Sequence, residues 1–251
     1  MSISIKSEKE IELMRESGRI LANVLEELEG LVRPGISTLD IDKKCAEIIK
    51  GYDCIPSFLN YNGYPASVCV SVNKEVVHGI PNKDRILRDG DIVSLDCGVI
   101  YQGFHSDAAR TVAVGEISKE AKQLIEVTKQ SFYEGIKFAK EGHHLHEISE
   151  AIQTYVEAHG FSVVRDLVGH GIGRNLHEEP QIPNFRQKRR GLKLEAGMTL
   201  AIEPMVNVGR YDVYWEDDDW TVVTADGSLS AHYENTILVT NGEPELFTIK
   251  K

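Results

Sequence analysis

Long apolar runs are missing from these 251 residues, and no stretch approaches the roughly 20 residues that a membrane-spanning helix requires. The opening residues, Met1 to Glu10, turn charged from Lys6 onward, which argues against a leader for export. Cysteine is scarce. Cys45, Cys54, Cys69 and Cys97 form no CxxC pair and lack the dense spacing of a disulfide scaffold, so reduced thiols in a cytoplasmic, unexported protein are expected. Positive charge is in deficit as well: 28 Lys and Arg stand against 39 Asp and Glu, a net charge of -11. Nucleic-acid backbones are bound through clustered cations that release counterions, so no nucleic-acid partner is expected. The run Arg186, Lys188, Arg189, Arg190 is the exception, and a short basic loop of this kind is ordinarily solvated surface. What remains, 41% hydrophobic and 27% charged residues, suffices for a sizeable globular core.

Ser7 and Glu10 have the spacing of a capping box, and Ile11, Met14, Gly18, Leu21, Leu25 and Leu28 follow at helical intervals. This first helix should stop before Pro34-Gly35. Ile41, Cys45 and Ile48 predict a second helix, residues 52–77 predict loops and short strands, and residues 119–139 and 147–158 predict two more amphipathic helices. From Met198 onward, Val, Ile and Leu segments broken by Asp226-Gly227 and Asn241-Gly242 predict antiparallel strands.

The chain also repeats itself. A shift of 107 residues lays Gly35, Asp40 and Ile41 on Gly142, Glu147 and Ile148, and Leu87, Gly90, Leu95, Asp96 and Val99 on Leu194, Gly197, Ile202, Glu203 and Val206. A shift of 127 lays His105-Ser106-Asp107 on His232-Tyr233-Glu234, which implies a 20-residue insertion in the second half. The expectation is an α/β (α+β) fold of two similar halves, helices outside, with four carboxylates near a pseudo-twofold axis.

Residues 91–114 predict a hairpin reversing at Tyr101-Gln102-Gly103. Centred between Tyr101 and Gln102, it would place Asp96 directly opposite Asp107. Facing like charges destabilise a strand pair, and the apolar neighbours Val93, Leu95 and Val99 predict that Asp96 is partly buried. Glu203 and Glu234 should stand in a similar relation. Four acids in a low-dielectric centre cannot all stay ionised unaided: some keep protons, or cations are bound. No cluster of Arg or Lys occurs near these segments, whereas one imidazole from Gly169-His170-Gly171 would complete an oxygen-rich site for two divalent ions. Singly, each acid is better read as a strand-edge carboxylate, and His170 as a loop residue. Together they favour metal. His177 follows as a second candidate histidine.

Asp96, Asp107, His170, Glu203 and Glu234, in this order and with these flanks, resemble the five metal ligands of the type I methionine aminopeptidases. The resemblance spans nearly the whole chain and includes Tyr61-Asn62-Gly63-Tyr64-Pro65, Ser71-Val72-Asn73, Val77-His78-Gly79-Ile80-Pro81, Gly169-His170-Gly171-Ile172-Gly173 and Glu203-Pro204-Met205. It implies the pita-bread (creatinase/aminopeptidase) fold, with a central antiparallel sheet between two pseudo-twofold-related halves, as a single catalytic domain over residues 1–251 in the short bacterial form.

The activity so implied is removal of the initiator methionine from nascent polypeptides with a small second residue, by attack of a hydroxide held between two divalent ions of Co, Mn, Fe or Zn. In that reading His170 and Glu203 hold one ion, Asp96 chelates the other, and Asp107 and Glu234 bridge them. Glu203 shuttles the proton, His177 bonds the scissile carbonyl and His78 sits near the scissile nitrogen. Phe58, Tyr61, Tyr64, Cys69, His78, His177 and Trp220 line the methionine slot, an apolar and adaptable environment suited to a thioether. The implied partners are N-termini beginning with Met and, transiently, the ribosome. No membrane partner is implied, and the state is a monomer. Asn62 and Leu176 depart from the His and Phe of many members, which bears on pocket shape rather than on the reaction. The rivals are a proline-directed peptidase of the same fold, whose usual extra N-terminal domain is not expected here, and a non-catalytic relative, which would have lost ligands.

Overall fold

The computed structural model describes residues 3–250. Its helices begin where the sequence offers caps. In α1 (Glu8–Leu31) the Glu10 carboxylate accepts from the Ser7 backbone N–H and hydroxyl at 3.0 and 2.9 Å, and Met14, Leu21, Leu25 and Leu28 form the buried stripe. In α2 (Thr38–Gly51) the Ser37 hydroxyl accepts the Asp40 N–H at 3.1 Å and donates to the Asp40 carboxylate. The Ser118 hydroxyl accepts the Ala121 N–H at 3.0 Å ahead of α3 (Lys119–Ile136), and the Glu147 carboxylate accepts the His144 N–H at 2.6 Å at the start of α4 (Leu145–Ala158). Asp40 and Glu147, acids aligned by the 107-residue shift, therefore serve as equivalent helix caps.

The first half contributes β1 (Ile55–Pro56), β2 (Val68–Val72), β3 (Glu75–Val77), β4 (Ile92–Tyr101) and β5 (Phe104–Ala113). The second contributes β6 (Ser162–Val163), β7 (Gly169–Gly171), β8 (Glu178–Ile182), β9 (Thr199–Ile202), β10 (Met205–Asn207), β11 (Val213–Trp215), β12 (Val222–Thr224), β13 (Ser230–His232), β14 (Asn235–Leu238) and β15 (Glu245–Leu246). The named strands of the described residues pair antiparallel: β4 joins β1, β2 and β5, while the second half runs β15-β14-β9-β7-β8, with β13-β10-β6 beside it. The 20-residue insertion supplies β11 and β12, and β12 crosses to pair with β3 of the first half.

The internal repeat is a structural one. Ser37 bridges Ile86 and His144 bridges Lys193, each pair offset by 107. The Gly35 N–H bonds Leu87 O at 2.8 Å and the Gly142 N–H bonds Leu194 O at 2.9 Å, with φ of 92° and 90°. Each half also has its own apolar core: Leu21, Leu25, Ile41, Leu95 and Val99 in the first, Leu124, Phe132, Ile148, Ile152 and Ile202 in the second. The halves meet where the Glu234 N–H bonds Ala109 O at 3.0 Å, laying β14 beside β5.

The hairpin register differs from the expected one. Gln102 and Gly103, at φ 47° and 83°, form a two-residue reversal between paired Tyr101 and Phe104, so Asp96 faces Ala109 and Asp107 faces Gly98. The two aspartates are diagonal neighbours on one face, where the wider separation leaves room for an ion. Glu203 and Glu234 are not in the same relation: they sit between the pairs Ile202–Asn235 and Met205–His232, and so lie opposite each other.

Candidate metal centre and active site

Asp96 comes from β4, Asp107 from β5, His170 from β7, Glu203 from the end of β9, and Glu234 from just before β14. Their side chains converge on the floor of one cavity of about 370 Å³. Asp96, Asp107, His170 and Glu234 are buried, and the Glu203 side chain keeps only 14% of its exposure. His170 Nε2 lies 3.8 Å from Asp107 Oδ2 and 3.6 Å from Glu203 Oε1. Its Nδ1 is 2.9 Å from Gly171 O, which holds the ring proton there and leaves the Nε2 lone pair facing the acids.

Burial drives the carboxyls up. Asp96 is pushed to about 7 by desolvation, and Asp107, Glu203 and Glu234 stand well above the carboxylate range through desolvation and then mutual repulsion. Among the described residues none of the four pairs with a lysine or arginine side chain, while Asp96 Oδ1, Asp107 Oδ1 and Glu234 Oε1 have no hydrogen-bond partner. Orphaned buried oxygens facing an imidazole lone pair are what divalent cations require. Among the described residues, Asp107, His170 and Glu234 bring three donor atoms within 4.8 Å of one another. The residues fit a metal centre.

An arginine approaches the centre from beside Asp107. Arg110 donates through Nη1 to the carbonyls of Ala109 and Glu234, at 2.8 and 2.5 Å, and through Nη2 to Asn235 Oδ1 and Thr248 O, with its guanidinium 4.5 Å from the Tyr233 ring centre. It clamps the backbone beneath Glu234 and forms no ion pair with the carboxylates. Nothing local in the sequence reveals a long side chain that folds back under its neighbour.

The walls hold the remaining expected residues. Phe58, Tyr61, Tyr64, Cys69, His78, His177 and Trp220 all line the cavity, joined by Asn62, Val77, Leu167, Leu176 and Met205. Tyr64 packs edge-on to Trp220 at 5.1 Å and donates its hydroxyl to Gly79 O at 2.9 Å. His177 Nδ1 is 2.8 Å from the Tyr61 hydroxyl, and its ring centre is 4.2 Å from that of His170. His78 sits at φ 61°, a conformation costly for a non-glycine residue and frequent at functional sites. Desolvation lowers His78 to about 4 and His170 to about 3, and lowers His177 too, so all three imidazoles are neutral near pH 7. Asn62 takes the left-handed conformation at φ 50°, which asparagine tolerates, and Leu176 is buried against the site.

A buried, oxygen-rich group of side chains that could hold metal, set where two duplicated halves meet, defines a class, and the chain belongs to metallopeptidase family M24, whose profile matches residues 12–241. It is 56% identical over 249 residues to the methionine aminopeptidase of Clostridium perfringens, covering 99% of this chain and 100% of that one. The methionine aminopeptidase of Clostridium acetobutylicum is 54% identical over 98% of this chain and 99% of its own. Among solved structures, the methionine aminopeptidase of Thermotoga maritima superposes with a TM-score of 0.97 at 46% identity, covering 99% and 100% of the two chains. Within the M24 metallopeptidases, the chain falls among the methionine aminopeptidases, and its architecture is the pita-bread fold.

Proposed function

We propose that this single domain, residues 1–251, removes the initiator methionine from nascent polypeptides with two divalent ions of Co, Mn, Fe or Zn. The carrying observation is the set of partnerless buried carboxylate oxygens on the floor of an apolar cavity. His170 and Glu203 would hold one ion and Asp96 the other, with Asp107 and Glu234 shared. The nearly equal distances from His170 Nε2 to Glu203 and Asp107 support that division. Bound there, the ions would polarise the scissile carbonyl and acidify a water toward neutral pH.

The protein groups supply the rest. Glu203, whose carboxyl is raised by burial, accepts the proton of the attacking water and passes it to the departing amine. The Tyr61 hydroxyl donates to His177 Nδ1, which leaves the His177 Nε2–H to bond the carbonyl oxygen and the oxyanion that follows. His78, on the other wall, serves the scissile nitrogen. Phe58, Tyr61, Tyr64, Cys69 and Trp220 enclose the methionine side chain, and the soft thioether suits their aromatic faces. Crowding beyond the cut bond favours small second residues. In this reading the protein is a cytoplasmic monomer that meets the ribosome transiently, and its net charge of -11 argues against nucleic-acid binding of its own. No helix among the described residues is long and apolar enough to cross a membrane, and none is needed.

The test compares metal-stripped and metal-restored protein on Met-Ala-Ser and on Xaa-Pro peptides. Cleavage of the Met peptide alone, dependent on metal and reduced about 100- to 10,000-fold in Glu203→Ala, is expected. Equal activity after complete chelation would end this reading.

A further inference from the structure

His232 closes β13 two residues before Glu234 and is 1% exposed. Its backbone is fixed on both sides. The His232 N–H bonds Thr111 Oγ1 at 2.8 Å, and the Thr111 hydroxyl donates to His232 O at 2.9 Å, while the strand pairing sets it opposite Met205. The ring is thereby placed between two acids of the centre. His232 Nε2 lies 4.0 Å from Glu203 Oε2 and 3.8 Å from Glu234 Oε2, and neither ring nitrogen has a hydrogen-bond partner. Apolar packing does not account for such a residue, since a leucine or methionine would fill the space without burying two polar atoms.

Two roles fit a buried imidazole beside metal-binding acids, and they need opposite tautomers. A ligand must present a lone pair, as His170 does because Gly171 O holds the proton on Nδ1. His232 has no such carbonyl on Nδ1. Its proton belongs on Nε2, where two carboxylate oxygens can accept it.

We propose that His232 is a positioning residue of the metal centre: its Nε2–H faces the outer oxygens of Glu203 and Glu234, closes to hydrogen-bond distance when the ions bind, and sets the angle at which both carboxylates meet them. The inference rests on the two-metal reading above. Glu203 and Glu234 lie opposite each other, just past β9 and just before β14, and His232 Nε2 is within 4.0 Å of both. Glu203, read as the proton carrier, then has its outer oxygen restrained while its inner oxygen faces His170. A less restrained Glu203 transfers the proton less well without altering the methionine slot, so kcat falls while KM stays.

The experiment titrates metal-free protein with Co(II), reading affinity by calorimetry and coordination by the visible absorption of the bound ion, in the parent, H232M, H232A and H232Q. Thermal unfolding of each metal-free form checks the fold, and the pair H232M and H232A keeps the test open should one fail to fold. H232M and H232A should bind cobalt about 10- to 100-fold more weakly and lose kcat with little change in KM. H232Q, whose amide N–H reaches the same oxygens, should return to within a few-fold of the parent and leave the cobalt spectrum unchanged. A parent that takes up no cobalt overturns the metal reading and this inference with it. Parent-like affinity in folded H232M, or a H232Q as weak as H232M, overturns the inference alone. A loss of nitrogen coordination in the H232Q spectrum would make His232 a ligand and overturn it too.

Discussion

His170 reaches the acids only because the strand carrying it is squeezed between two others. β7 lies between β8 and β9, and a Cβ on Gly169 would run into the carbonyl of Ala201, one on Gly171 into that of Glu179. Both obstacles are backbone, so neither can swing aside as a side chain would. The glycines on either side of His170 are the condition for this close strand approach. Gly171→Ala should therefore cost about 1–3 kcal/mol of overpacking and lower the melting temperature of the metal-free protein by several degrees. Because the shift displaces the His170 ring from the acids, metal affinity should drop at least about tenfold as well. Differential scanning calorimetry and metal titration would check the two effects, and an unchanged melting temperature would mean that β7 and β8 part easily.

The elements divide into those whose cause is local and those whose cause lies elsewhere in the chain. Ser7 with Glu10 and Ser37 with Asp40 announce their helices within four residues, and the apolar stripe of α1 needs no partner to be recognised. The acids were legible for a similar reason, since the repeat aligned Asp96 with Glu203 and Asp107 with Glu234. Strand register was not. It turned on whether the reversal holds two residues, which Gln102 at positive φ permits and its residue type does not announce. The slot residues Tyr61 and Trp220 share a wall only after β12 crosses to β3, so composition alone could not select them and the family resemblance did. Thr236 was equally silent, yet it holds the two acidic elements together. Its hydroxyl accepts the Asp107 N–H at 2.9 Å and donates to Asp107 O at 2.8 Å, from β14 to β5. Thr236→Val keeps the shape and leaves the buried Asp107 N–H without an acceptor, a cost of about 1–3 kcal/mol. Urea unfolding of the metal-free protein should show that loss with an unchanged slope, and metal affinity should weaken alongside it. A stability equal to the parent's would show that Asp107 finds another acceptor.

For the whole molecule, joining two acidic halves couples folding, protons and cations. In the metal-free protein Asp96 is held at about 7 against an ordinary 3.8, and Asp107, Glu203 and Glu234 are raised in the same sense. A raised carboxyl favours the folded state while protonated, so that contribution is complete below the ordinary value and fades as pH climbs through the folded one. His78, lowered to about 4, acts oppositely: its contribution is present above 6.5 and fades as pH falls toward 4. Cations reverse the carboxylate penalty because they bind the ionised form and expel its protons. His170, at about 3, is already neutral in the folded protein between pH 5 and 8, so metal binding displaces no proton from it there. The rise in melting temperature produced by saturating Mn(II) should thus grow steadily from pH 5 to pH 8, following deprotonation of the acids. Differential scanning fluorimetry at matched ionic strength, with and without the metal, measures it directly. A metal-induced rise that stays flat across that window would mean the four carboxyls are already ionised in the metal-free fold, and that something other than cations balances their charge.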